Sequence, residues 1–224
     1  MSIKSGQYSE LPIGVVGNPW LGAGSGFLVS ECHALTAFHV IGDSKIIGRR
    51  TSFHVRPWDR SKHTNRSRGT VIDAGRAPSK MGDYSQDWAL IRLDSCLGTR
   101  FGFLPIALQG FFQMGGGSQI YPKLMSAGFP QDRGSRWLTI DPECRAQQAT
   151  SSGMRHDCAT LPGASGGALI AWNEALQRYE AIGITVAGFR EPGAVRFRMD
   201  RANLAVVLPP IRGRIERAVE HDSR

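Results

Sequence analysis

The chain has 224 residues, with 27 Lys and Arg against 19 Asp and Glu, a formal net charge of +8, 41% hydrophobic residues and 21% charged ones. These totals exclude wholesale disorder, and no apolar run of about 18 residues is present to span a bilayer. The length suits one globular unit or two small subdomains sharing an interface.

The N-terminal stretch MSIKSGQYSELPIGVVG lacks the unbroken apolar segment and small-residue cleavage site of a secretory signal. The compartment is therefore open: periplasmic or secreted if a leader has been removed, cytoplasmic otherwise.

The first informative run, GSGFLVSECHALTAFHV at 24–40, is hairpin-like and ends on Thr36-Ala37-Phe38-His39. Taken alone, His39 reads equally as a half-buried structural side chain. Much of the positive charge follows: Arg49, Arg50, Arg56, Arg60, Lys62, Arg66 and Arg68 stand in 49–68 against the single acid Asp59. A solvated loop or hairpin is the plain reading, and a contact surface for an anionic partner is the alternative. Without a recognition module, nucleic acid is not an expected partner.

DWALIRL at 87–93 opens an alternating strand with the carboxylate Asp87 and then Trp88. Asp83, in a Gly-Asp-Tyr-Ser turn, competes with it. The Gly115-Gly116-Gly117 tract reads as a flexible crossing, which divides the chain into 1–114 and 115–224. Short apolar runs at 26–29, 88–93, 165–172 and 181–186, separated by Gly, Pro, Asn and Asp, predict the strands of an antiparallel barrel or sandwich.

LPGASGGALI at 161–170 places Gly163 before Ser165 and Gly166 and Gly167 after it. Such glycines permit torsions closed to other residues and let a substrate approach the backbone. In an acyl transfer, the N–H groups of Gly163 and Ser165 are the expected oxyanion donors. A purely structural glycine turn is the alternative. The α/β-hydrolase arrangement needs Gly-x-Ser-x-Gly and a downstream histidine, and only His221 follows Ser165. Near the end, Leu204, Val207, Leu208, Ile211, Ile215 and Val219 recur at spacings of three and four. Pro209 and Pro210 interrupt them, predicting a short turn and then a C-terminal helix.

Taken together and in the order His, Asp, Ser, the motifs resemble the chymotrypsin-like serine peptidases, in their bacterial branch. TAFHV is similar to the family's Thr/Ser-Ala-Ala-His segment, DWALIRL to its Asp-x-Ala-Leu-x-x-Leu strand, and GASGG to its Gly-Asp-Ser-Gly-Gly turn. SAGFP at 126–130 resembles the Gly-Tyr-Pro segment of the bacterial branch. The resemblance implies an all-β fold of two six-stranded antiparallel β-barrels with a C-terminal helix. It also implies a serine endopeptidase acting on protein or peptide substrates without a cofactor, with Ser165 as nucleophile, His39 as general base and Asp87 orienting it. A catalytically silent scaffold that binds a protein partner is the alternative.

Several departures from the family pattern carry expectations of their own. Ala164 replaces the aspartate that receives a new N-terminal ammonium in the trypsin branch, so no trypsin-style N-terminal activation is expected. The resemblance implies a Cys144–Cys158 disulfide, while Cys32 and Cys96 are expected to be free and buried. A metal site joining cysteines to His33 or His156 lacks C-x-x-C or H-x-x-x-H spacing, so no metal is expected. The resemblance puts Ala159, Thr160 and Thr185 in the specificity pocket, with Val186, Ala187 and Gly188 as the edge that pairs with substrate. Thr185 stands where the glutamate-specific branch has histidine. Val195, Phe197 and Met199 suit the buried face better than Arg196 and Arg198. A small or medium uncharged P1 residue is the expectation.

Overall fold

The computed structural model describes residues 10–18, 22–42, 44–55, 65–78, 83–108, 113–115, 118–120, 123–131, 137–149, 153–188 and 202–222. Six strands, β1 (Ile13–Asn18), β2 (Gly22–Leu28), β3 (His33–Thr36), β4 (Arg50–Val55), β5 (Arg66–Ala74) and β6 (Ala89–Leu93), close an antiparallel barrel. Their order around it is β1-β2-β3-β6-β5-β4. Two short strands, β7 (Gln113–Gly115) and β8 (Ser118–Ile120), pair with each other where the glycine crossing was expected. Gly116 and Gly117 lie outside the described residues.

The second barrel is built from β9 (Lys123–Gly128), β10 (Thr139–Ala149), β11 (Gly153–His156), β12 (Ala168–Asn173), β13 (Arg178–Ala187) and β14 (Asn203–Val207). Its cyclic order, β9-β10-β11-β14-β13-β12, repeats the permutation of the first. The helices are one-turn α1 (Phe38–Ile41) and α2 (Gly98–Phe101), and the C-terminal α3 (Arg212–Asp222).

Side-chain alternation explains the barrel walls. Along β4 and β5, Phe53, Val55, Ser67 and Val71 are buried while Arg50, Arg66 and Arg68 face solvent. The described part of the basic stretch is thus the outer face of a hairpin, where Arg50 already pairs with Asp94. Arg56, Arg60 and Lys62 lie outside the described residues.

The barrels share a core. Ile13, Val15, Phe27, Leu35 and Trp88 of the first half pack in one cluster with Met125, Phe129, Ala168, Ile184 and Val206 of the second, and Ile215 of α3 joins them. The C-terminal helix follows the second barrel but grips the first. Arg214 donates to Asp73 at 2.9 and 2.6 Å and lies 4.9 Å from the centre of the Trp88 ring. Asp222 accepts from Arg92 at 2.6 Å and lies 3.1 Å from His33 Nε2.

Two expectations need correction. Residues 203–207 form a strand rather than a turn, because β14 runs between β11 and β13 and is sheltered by both. A short apolar run of that kind carries no period that separates strand from helix. Cys32 and Cys96 are not free: they are disulfide-bonded, and Cys96 is exposed. β3 and β6 are barrel neighbours, with His33 opposite Arg92, so a cysteine just before one strand and another just after the other arrive together. Cys144 and Cys158 are joined as expected, leaving no free cysteine among the described residues.

Candidate active site

His39 and Asp87 meet because of strand register. Thr36 at the end of β3 pairs with Ala89 at the start of β6, so the residues just beyond Thr36 and just before Ala89 emerge at the same rim. The turn of α1 then places His39 over Asp87. The Asp87 side chain is fully buried, and both oxygens are spent on His39: Oδ1 accepts the main-chain N–H at 3.0 Å and Oδ2 accepts from ring Nδ1 at 2.6 Å. With the carboxylate ionised and the ring neutral, this bond assigns the proton to Nδ1 and leaves Nε2 as a lone-pair acceptor. The His39 side chain is 35% exposed.

Asp83, the competing carboxylate, is elsewhere. It binds Arg76 at 3.1 Å on the surface and accepts from the Ser85 N–H at 3.0 Å. Hydrogen bonds from Ser85 and the Arg76 guanidinium hold its carboxyl below the ordinary range. His221 is an exposed residue of α3.

Ser165 precedes β12, in a turn whose peptide groups can be accounted for one by one. Pro162 O accepts from Gln131 N at 2.7 Å, Gly163 O from Ser25 Oγ at 2.9 Å, Ala164 O from Gly167 N at 2.8 Å and Ser165 O from Ser25 N at 2.7 Å. On the donor side, Ala164 N binds Leu161 O and Gly166 N binds Thr185 O. Of the N–H groups from 163 to 167, those of Gly163 and Ser165 have no partner among the described residues. Residues 163–165 are half-buried, so these two donors remain open to water or a ligand.

The glycines are required rather than convenient. Gly163 has φ +93° and Gly166 φ +86°, in the left-handed region, and a Cβ on Gly163 would lie 2.6 Å from Gln131 Cγ.

The turn docks against the rim that carries His39. A Cβ added at Gly24 would lie 2.9 Å from Ser165 O and 2.4 Å from the nearer methyl of Val40, so nucleophile turn and histidine helix crowd the same glycine. The Ser165 hydroxyl itself donates to Val186 O at 3.5 Å, and no hydrogen bond joins it to His39 among the described residues.

The residues expected at the pocket lie close in sequence to the Cys144–Cys158 bridge or are tied to one another. Asp141 accepts from Ala159 N at 2.7 Å, and Asn203 donates to Cys158 O at 2.6 Å. Thr160 Oγ1 would meet a Cβ on Gly188 at 2.6 Å, placing these two side by side. Thr185 and Val186 are buried, and the Thr160 and Thr185 hydroxyls have no hydrogen-bond partner among the described residues. Residues 195–199 lie outside the described residues. Close to the bridge in sequence, burial holds His156 down to about 4, so its imidazole is neutral. The Leu204 carbonyl lies near its ring without meeting hydrogen-bond geometry. Cys144 and Cys158 sit beside Asp157, but their sulfurs are bonded to each other and offer no thiolate to a metal.

A barrel pair with this rim geometry defines a peptidase fold. The model of the trypsin-like peptidase domain matches residues 24–176, well over half of the chain, and the chain belongs to that family. Among solved structures, a Glu endopeptidase in complex with MPD aligns with TM-score 0.64 over 95% of this chain and 90% of its own, at 15% identity. At that identity the likeness speaks for the fold. No curated protein matches the chain.

Two participants escaped the sequence reading. Ser25 touches the nucleophile turn twice, and its only trace is the Gly24-Ser25-Gly26 string, since glycine inside a strand marks close backbone approach. The Cys32–Cys96 bridge required knowing which strands are neighbours.

Proposed function

We propose that this trypsin-like peptidase is a serine endopeptidase that works through Ser165, His39 and Asp87. The observation that carries the reading is the buried Asp87 with both oxygens committed to His39. That arrangement fixes the tautomer in which Nε2 can take a proton.

In the proposed reaction, the Ser165 hydroxyl turns from the Val186 carbonyl toward His39 Nε2, a tightening common between free and substrate-bound sites. Oγ attacks the peptide carbonyl as its proton passes to Nε2. The oxyanion is received by the uncommitted N–H groups of Gly163 and Ser165. His39 then protonates the leaving amine, and water repeats the sequence on the acyl-enzyme.

Ala164 offers no carboxylate to a newly made N-terminus, so the proposed enzyme needs no trypsin-style cleavage to form its hole. The residues proposed to line the pocket, Ala159, Thr160 and Thr185 with the edge Val186, Ala187 and Gly188, bring no ionisable group. A small or medium uncharged P1 residue follows, with the Thr160 and Thr185 hydroxyls available to a hydrogen-bonding side chain. Two disulfides suit folding in an oxidising compartment.

The test is labelling of the full chain by a fluorophosphonate, expected for the unmodified protein and lost in Ser165→Ala, with peptide-library profiling of the active form. Absence of labelling under every condition would instead favour the silent scaffold, and a dominant acidic P1 would overturn the proposed pocket.

A further inference from the structure

Every polar group of Ser25 is used, and by three different segments. Its N–H donates to Ser165 O at 2.7 Å, its Oγ donates to Gly163 O at 2.9 Å, and the same Oγ accepts from Phe129 N at 2.8 Å. Its carbonyl accepts from Thr36 Oγ1 at 2.6 Å. The residue belongs to the first barrel and has no exposed surface.

We infer that Ser25 is a positioning residue that holds the turn of Gly163 and Ser165 in its oxyanion-binding conformation and ties it to the histidine-bearing rim. The inference rests on the serine-peptidase reading above and adds a residue to it.

In a trans peptide the C=O and the following N–H point in opposite directions. Pulling Gly163 O toward Ser25 therefore drives the Ala164 N–H back to Leu161 O. Pulling Ser165 O the same way drives the Gly166 N–H to Thr185 O. The peptide between these two, which carries the Ser165 N–H, is held at both ends. Gln131 fixes the plane on the other side, because its bond to Pro162 O sends the Gly163 N–H the opposite way.

The two free donors are thus a consequence of where four carbonyls are anchored: Gln131 N and Gly167 N hold the planes that carry the donors, and Ser25 holds the two planes that flank the Ser165 N–H. Without its hydroxyl, the bonds to Gly163 O and from Phe129 N are lost, and the 163–164 plane is freed to turn.

The same residue reaches the base. Thr36, held by the Ser25 carbonyl, stands three residues before His39 on the strand that leads into α1. The packing leaves little slack: a Cβ on Gly166 would lie 2.1 Å from Ser25 O and 2.4 Å from Thr36 Oγ1. A fixed side-chain anchor thereby does the work that a newly formed ammonium would do at an aspartate in position 164.

The experiment compares the unmodified protein with Ser25→Ala, Ser25→Cys and Ser25→Thr, reading Tm, kcat and KM on a peptide substrate. Ser25→Ala is expected to lower kcat by about 10- to 100-fold with KM changed by less than about twofold, since a displaced hole is felt in the transition state. Ser25→Cys, which fills the space with a weak donor, is expected to fall in the same direction. Ser25→Thr, which keeps the hydroxyl, is expected to recover most of kcat. Unchanged kcat in the Ala or Cys variant, or a rise in KM alone, overturns the inference.

A second readout is independent of turnover: hydrogen exchange at the Ala164 and Gly166 amides of the free protein should quicken in Ser25→Ala and Ser25→Cys, and unchanged exchange overturns the inference. Failure of the unmodified protein to label with fluorophosphonate would sink the peptidase reading, while the exchange data would still decide whether Ser25 holds the turn.

Discussion

The two barrels repeat one strand permutation but supply the site with different materials. The first contributes side chains, His39 and Asp87, locked to each other by two hydrogen bonds at the β3 and β6 rim. The second contributes backbone: a turn before β12 in which the carbonyls of residues 162–165 are all anchored while the N–H groups of Gly163 and Ser165 are uncommitted among the described residues. One half is organised by chemistry that side chains carry, the other by torsions that only glycine tolerates. The halves should therefore fail differently when perturbed.

The largest effect below loss of the nucleophile is expected on the side-chain half. Asp87→Asn keeps the shape but donates where it should accept, so His39 is held in the wrong tautomer and kcat should fall by about 10⁴-fold with little change in Tm. A loss below about tenfold would remove Asp87 from the proposed role.

Breaking the staples should rank the halves by loop length. Removing Cys32–Cys96, with a separation of 64 residues, is expected to cost about 4 kcal/mol, and removing Cys144–Cys158, with a separation of 14, about 3 kcal/mol. Urea unfolding of the paired Cys→Ser variants measures both. The second loss should also blur P1 preference, because that bridge adjoins Ala159 and Thr160, which are proposed to line the pocket.

On the backbone half, Gly163→Ala introduces a Cβ at φ +93° that would strike Gln131. It should lower kcat by about 10²- to 10³-fold, the cost of one misplaced oxyanion donor, while leaving the His39–Asp87 bond intact. Persistence of the downfield Nδ1 proton by NMR in this variant, and its loss in Asp87→Asn, would sharpen the contrast.

The most diffuse effect is on stability against pH. Burial holds both His54 and His156 down to about 4 from an ordinary 6.5. The unfolded chain binds protons on them below pH 6.5 that the folded chain refuses until about pH 4. Stability is therefore full above 6.5 and lost as pH falls through that window. His156 alone contributes roughly 3 kcal/mol to the loss. The urea midpoint should drop between pH 7.5 and 4.5, less steeply in His156→Leu, and an unchanged slope would contradict the neutral buried imidazole.

How much was legible follows the same division. The segments around His39, Asp87 and Ser165 each announce a side chain in a patterned strand or glycine turn, and the resemblance they jointly carry extends to two barrels and a terminal helix. Strand β14 was hidden because Leu204, Val207 and Leu208 fit a helical spacing, and only shelter by β11 and β13 decides otherwise. Ser25 was hidden because its partners lie 104 to 140 positions away, at Phe129, Gly163 and Ser165.

By itself, the sequence determined the residue types available for chemistry and the places where the backbone could take left-handed torsions, since both are local properties of side chains and glycines. Which strands became neighbours was decided in the tertiary structure. Closure of each barrel brought Cys32 to Cys96, Asp87 rather than Asp83 to His39, and Ser25 to the nucleophile turn, because pairing register fixes proximity across separations that local propensity does not reach.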